Sequence, residues 1–126
     1  MFPAVLQVAL GGAIGASARY LASIWMVRWL GHTPFPVAIL TVNVVGSFLI
    51  GVFVGAAAHR GLTHLSPFIV TGILGGFTTF STFSLEAVSL WQRGDTTGAA
   101  AYVILSVVLS IIGLLIGLWV ARGVFA

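Results

Sequence analysis

The sequence predicts an all-α integral membrane protein built from four transmembrane helices. Composition is the first reason. Hydrophobic residues make up 60% of the 126 residues and charged residues 6%, against about a quarter charged in a soluble domain. Too few charges remain to dress a water-facing surface. The second reason is pattern. Lipid demands a backbone whose hydrogen bonds are satisfied internally, so the choice is helices or a closed barrel. Barrel strands alternate apolar and polar residues, whereas this chain has long unbroken apolar runs. The third reason is length, because about 20 apolar residues span a bilayer and four such runs fit.

The spans are read at about 3–29, 34–58, 65–91 and 97–121, as a single domain over 1–126. The amino-terminal MFPAVLQVAL lacks the positive n-region of a cleaved signal, so the first run reads as a permanent span. Pro34 and Pro36 suit the first turn of the second helix. The links GHTPFP, HRGLTH and QRGDTTG carry the Gly, Pro, His and charges of short turns. His32, His59 and His64 lie in or beside these links and read as interfacial. There is no cysteine and therefore no disulfide or thiolate chemistry. The arginines are scattered singly, so nucleic acid has no footprint.

Span one contains LGGAIGASARYLAS, which places Gly11, Gly15 and Arg19 on one face. Gly-xxx-Gly allows close approach of another backbone. An arginine at Arg19's depth either snorkels to a headgroup or faces protein and water. In the second case it attracts anions at a vestibule or neutralises Glu86. Span two repeats Asn43, Ser47, Gly51 and Gly55 every four residues. Asn43 serves either as interhelical glue or as an N–H donor to a passing ligand. Span four repeats Tyr102, Ser106 and Ser110 at the same interval, with Gly113 and Gly117 as a packing pair. The serines either bond back to their own helix or form a polar track.

Span three is the unusual one. Its middle reads GGFTTFSTFSLE, residues 75–86. Glycine costs a helix about 1 kcal/mol relative to alanine, and threonines follow Gly75-Gly76, so the third helix is expected to break near its middle. Broken helices survive at membrane depth where they line a cavity or bind something. Their freed carbonyls serve cations and their half-helix N-termini serve anions. After the break Phe80, Phe83 and Ser84 share a face, with Thr79, Thr82 and Glu86 on adjoining ridges. A phenyl ring has a positive edge, so rings presented edge-on can solvate a small anion; otherwise they are ordinary core rings.

Orientation adds a further expectation. Arg60 and Arg122 fall on one side of the four spans, Arg28 and Arg93 on the other. The positive-inside rule gives no instruction from two against two. Either the signal is merely weak, or the chain inserts both ways and assembles as a dual-topology antiparallel homodimer. Four short helices enclose little interior, so a polar pathway favours two subunits.

GGFTTFSTF resembles the signature of the Fluc family of fluoride channels, also called CrcB. The resemblance extends over the whole chain: its length, the four spans, Arg19 after the Gly-rich start, Asn43 in TVNVVGSF and the hydroxyl stripe of span four. It implies fluoride-selective, passive efflux from the cytoplasm of a bacterial cell across its inner membrane. It implies an antiparallel dimer with two pores, lined at Phe80, Phe83 and Asn43, with Tyr102, Ser106 and Ser110 as a polar track. Ser84, Thr79 and Thr82 join the candidate polar contacts by their place beside the rings. It also implies a structural Na⁺, not transported, held by the backbone carbonyls of Gly75 and Thr78. The partners are then fluoride, lipid and a second copy of the chain, with no nucleic acid and no soluble protein.

Two other functions fit a chain of this class. One is a small dual-topology multidrug or cation exporter, which would want a carboxylate in span one, where this chain has Arg19. The other is a non-transporting membrane assembly protein whose glycine stripes only pack helices. An enzyme is not expected, because there is no nucleophile–base pair, no histidine cluster and one intramembrane carboxylate.

Overall fold

The computed structural model describes residues 3–125; Met1, Phe2 and Ala126 of the 1–126 domain lie outside the described residues. Helix α1 is Ala4–Leu30 and α2 is Val37–Arg60. A 3₁₀ turn at Thr63–Leu65 leads into α3, which joins wide π-helical turns at Pro67–Leu74 to a single α-turn at Gly75–Phe77. Helix α4 is Phe80–Gln92 and α5 is Thr96–Phe125. Four helical spans are long and apolar enough to cross a membrane, with Pro67–Gln92 as the third.

The ends of these helices have local causes. Gly61 terminates α2 in a left-handed conformation at φ 68°, ψ 34°, with its N–H donating to Ala57 O, a conformation that glycine adopts without Cβ strain. Asp95 Oδ1 accepts from Gly98 N at 2.8 Å and so caps the start of α5. Pro34 and Pro36 precede α2 and do not form its first turn. They belong to a folded link in which Thr33 Oγ1 donates to Phe35 O and Arg93 Nη2 donates to Pro34 O at 2.9 Å.

Two close helix pairs organise the molecule: α1 against α3, and α2 against α5. The glycine stripes make both. Gly11 and Gly15, the buried residues of α1, lie against the α3 backbone at Phe68, Gly72 and Ile73. A Cβ on Gly76 would fall 2.8 Å from Gly12 O, so α3 needs glycine there too. In the other pair, Gly51 of α2 meets the Leu114 carbonyl while Gly117 of α5 meets the Phe48 carbonyl. Lipid tails are as apolar as leucine, so close van der Waals fit replaces the hydrophobic effect as the force between spans.

This packing also relocates the feature expected at Gly75-Gly76. Gly75 is helical, at φ −64°, ψ −38°, and Gly76 lies within the α-turn. The extended residues are Thr78 (φ −83°, ψ 158°) and Thr79 (φ −151°, ψ 123°). Gly76 admits the close approach of α1, while a Cβ on Gly75 would meet only Val70 O, within α3.

Gly117→Leu is expected to drive α5 away from α2 and to destabilise the fold by about 1–3 kcal/mol, the usual cost of overpacking. Gly12→Ala, where a Cβ meets nothing within 4 Å, should be neutral or mildly stabilising. Thermal melts of the two variants in detergent read both outcomes.

Candidate functional site

The site forms where α3 gives way to α4. Asn43 of α2 reaches this point with both ends of its carboxamide. Its Oδ1 accepts from Thr79 N at 2.8 Å and its Nδ2 donates to Thr79 O at 3.0 Å. The side chain thus pairs with an extended peptide as a neighbouring strand would. Thr78 is held from the other direction: its N–H and its Oγ1 each donate to Leu74 O at 3.0 Å. Thr79 Oγ1 then accepts from Thr82 N at 3.1 Å and caps α4. The sequence offered Asn43 as glue or as ligand donor. The carboxamide ties α2 to Thr79, and of its two N–H groups one is committed to the Thr79 carbonyl.

A cavity of about 330 Å³ opens beside this junction. Asn43, Thr78, Thr79, Phe80 and Phe83 line it on one side, Ser106 and Ser110 on the other. Ser47 lines it as well. That residue was absent from the expected contacts, although its place four residues after Asn43 was the signal that could have found it. The rings run in a row from the cavity into the protein. Phe80 and Phe83 have centroids 5.5 Å apart, Phe83 and Tyr102 5.2 Å, and Tyr102 meets Phe35 edge-on at 5.6 Å and 89°. Phe80 is 78% exposed whereas Phe83 is 9% exposed.

Two α5 hydroxyls differ from the α4 serine. Tyr102 is fully buried and Ser106 is 7% exposed, and neither hydroxyl has a hydrogen-bond partner. A buried hydroxyl left unpaired costs about 1–3 kcal/mol. Ser106 lines the cavity, where a ligand or water can meet its hydroxyl, whereas Tyr102 does not line it and stands behind Phe83, ring against ring. Ser84 is not such a group, because its Oγ donates to Phe80 O at 2.9 Å within α4. Thr82 lies one turn into α4, engaged through its backbone, and does not line the cavity.

Neither charged residue lines this cavity. Arg19 Nε donates to Gly76 O at 3.2 Å. It meets one of the carbonyls that a helix end leaves without an internal partner. No ion pair joins it to Glu86 among the described residues. Glu86 lines a second hollow of about 160 Å³ with His32, Phe35 and the start of α2. Gly75 and Thr78 flank the end of α3, where Leu74 O and Gly76 O already have donors.

Comparison with known proteins identifies the family. The profile of a family described as CrcB-like protein, Camphor Resistance (CrcB) matches residues 6–118. The chain belongs to the CrcB family. It is 61% identical over 124 residues to a protein of Ruegeria sp. (strain TM1040) named fluoride-specific ion channel FluC, covering 98% of each chain. It is 69% identical over 105 residues to the FluC of Jannaschia sp. (strain CCS1), covering 80% of this chain and 100% of that one. It is 57% identical over 123 residues to the FluC of Cereibacter sphaeroides (strain ATCC 17029 / ATH 2.4.9). With its four apolar spans, this CrcB member is a multi-pass bacterial membrane protein.

Asn43→Ala removes both bonds to Thr79 and leaves a peptide N–H and C=O without partners at membrane depth. A loss of about 1–3 kcal/mol is expected for each group left unsatisfied. Ser84→Ala removes a bond local to α4, and its melting temperature should stay close to that of the parent protein. Chemical or thermal unfolding in detergent compares the two.

Proposed function

We propose that the chain forms a fluoride-selective channel through which fluoride leaves the cytoplasm passively. The observation that carries this reading is the cavity between the Asn43-tethered peptide and α5, with two phenyl rings on one wall and buried, unpartnered hydroxyl chemistry on the other. Fluoride is a small, strongly hydrated anion. To enter a membrane it needs donors in place of its water, at a site that offers a larger ion no equal bargain in fit. Ser106 and Ser110 supply O–H groups from the lining, and the free N–H of Asn43 adds another. The edges of Phe80 and Phe83 supply the positive rim of an aromatic quadrupole. The names of the FluC relatives support fluoride as the ion.

The finer parts of the proposal have their own support. The extended residues Thr78 and Thr79 make the third span a helix broken near its middle, with a cap at the start of its second half. Phe80 stands largely outside the single chain, which supports a path completed by a second copy. An antiparallel homodimer with two pores satisfies both this exposure and the even division of arginines between the two sides. Na⁺ fits at the end of α3. The family resemblance names the Gly75 and Thr78 carbonyls as its ligands; Thr78 leaves the helical ladder at ψ 158°, and the neighbouring Leu74 and Gly76 carbonyls already have donors. Such a site is all oxygen and needs no carboxylate. Two carbonyls from one chain would not complete such a site alone, and a second copy would add its own Gly75 and Thr78 carbonyls. When bound, Na⁺ contributes a fixed positive charge beside an anion path.

Reconstitution into liposomes tests the function. Fluoride efflux without chloride efflux is expected when a cation ionophore balances charge; equal passage of both ions would overturn selectivity. Phe80→Ile and Phe83→Ile should each cut fluoride flux at least tenfold, on the order of 1.4 kcal/mol or more in barrier, with the dimer intact on gel filtration. Thr78→Ser keeps the hydroxyl that bonds Leu74 O and the proposed carbonyl ligand, so its flux should remain within about twofold of the parent, less than 0.5 kcal/mol. A severe loss there would transfer the role from the backbone to the side chain.

A further inference from the structure

All five basic side chains other than histidine are arginines. Three are engaged: Arg19 on Gly76 O, Arg93 on Pro34 O, and Arg60 in a contact of its own. Among the described residues, Arg28 and Arg122 have no hydrogen-bond or ion-pair partner. These two share a setting. Trp25-Met26-Val27-Arg28 falls in the last turns of α1, and Trp119-Val120-Ala121-Arg122 falls in the last turns of α5. Residues three apart lie on the same helix face, so each arginine shares its face with a tryptophan. Trp25 is 63% exposed and Trp119 72%.

Each pair also walls an open hollow. Trp25 and Arg28 line one of about 500 Å³ whose other residues are Leu21, Ala22 and Ile24. Trp119 and Arg122 line one of about 400 Å³ with Val120, Gly123 and Val124. The links between successive spans are short, so the spans alternate in direction and α1 and α5 end on opposite faces of the membrane. Arg28 stands about 36 Å along α1 from Ala4, at 1.5 Å per residue. That exceeds the roughly 30 Å of hydrocarbon and falls within the roughly 40–45 Å that includes headgroups.

We propose that Trp25–Arg28 and Trp119–Arg122 are two binding sites for the headgroup of an anionic phospholipid, one in each leaflet. Arg28 and Arg122 present planar donor forks that match a phosphodiester, and nothing in the protein competes for them. Trp25 and Trp119 sit at the glycerol level, where an indole buries its rings and keeps its N–H wet. At the first site, Leu21, Ala22 and Ile24 precede Arg28 by one to two turns, which places them under the headgroup as a bed for an acyl chain. Charge complementarity selects the occupant. An unpaired cation over an apolar hollow at headgroup depth suits a lipid with net negative charge better than a zwitterion, whose own cation competes. Because the same Trp-x-x-Arg unit serves each face, the chain has an equivalent anchor in either leaflet whichever way it inserts.

The full-length protein in detergent can be titrated with phosphatidylglycerol or phosphatidylcholine and the bound lipid read by native mass spectrometry. Preferential retention of phosphatidylglycerol is expected. Arg28→Gln and Arg122→Gln should each lower that retention about fivefold at the affected site, the usual worth of one cation near an anionic surface. The double variant should lose the preference. Trp25→Leu and Trp119→Leu keep the charge and should weaken retention less. No preference in the parent protein, or a preference that survives in the double variant, would overturn the proposal. Displacement of the lipid by millimolar inorganic phosphate would overturn it in favour of a free-anion site. Loss of the oligomer in the tryptophan variants, with lipid retention unchanged, would assign these faces to a second copy of the chain. A monodisperse gel-filtration profile and an unchanged melting temperature confirm that each variant scored is folded.

Discussion

The two hydrogen bonds between the Asn43 carboxamide and the Thr79 peptide are what the rest of the site depends on. An extended residue inside a membrane-spanning segment has an N–H and a C=O that no helix satisfies, and lipid offers neither water nor any other partner. One side chain on α2 supplies both missing partners at once. Its geometry fixes where α3 stops, where α4 starts and which way the Thr78 carbonyl turns. The cap from Thr79 Oγ1 to Thr82 N follows from the same anchoring. Asn43 is therefore structural in its primary bonds and can meet a ligand only with the N–H that remains. The two readings of this residue from sequence describe one carboxamide with separate duties for its donors.

Asn43 can reach Thr79 only because the spans lie close, and glycine makes them close. Gly11 and Gly15 bring α1 onto α3, while Gly51 and Gly117 bring α2 onto α5. Gly46 completes the arrangement near the site, where a Cβ would collide with the Thr78 methyl group. The cost in helix propensity is about 1 kcal/mol per glycine in water. In lipid that cost is offset by backbone-to-backbone contact, which is available to no larger residue.

This explains what the sequence made legible. Four spans were evident because runs of apolar residues long enough to cross a bilayer leave few alternatives. The stretch GGFTTFSTFSLE holds the extended residues Thr78 and Thr79 and the two rings that line the cavity. The place of the extended residues was not legible, because Gly75-Gly76 invites a propensity argument that belongs to water. The two glycines are helical, and the extended residues are Thr78 and Thr79, where Asn43 on another helix reaches the Thr79 peptide. Arg19 had a similar ambiguity. Charge alone suggested a headgroup, a vestibule or Glu86, whereas the guanidinium found the Gly76 carbonyl 57 positions away. Ser84 kept the local bond that a serine in a helix commonly makes. Tyr102 and Ser106 were picked out by their four-residue spacing, but only burial distinguishes an orphan hydroxyl from a satisfied one.

A common economy of charge connects the cavity to the ends of the spans. The cavity lining contains no ionised side chain. An anion there meets only partial charges: hydroxyl and amide hydrogens and ring edges. A full positive charge among those walls would hold an anion too tightly to release it, since conduction needs binding strong enough to enter and weak enough to leave. Arg19, the cation placed well inside a span, is turned onto a carbonyl beside the site and not into the cavity. Arg28 and Arg122, which have no partner among the described residues, stand in the last turns of their helices, where the proposed headgroup phosphate would neutralise them without touching the path. The sorting follows from dielectric: a full charge is affordable where water and phosphate screen it, and partial charges suffice where they do not.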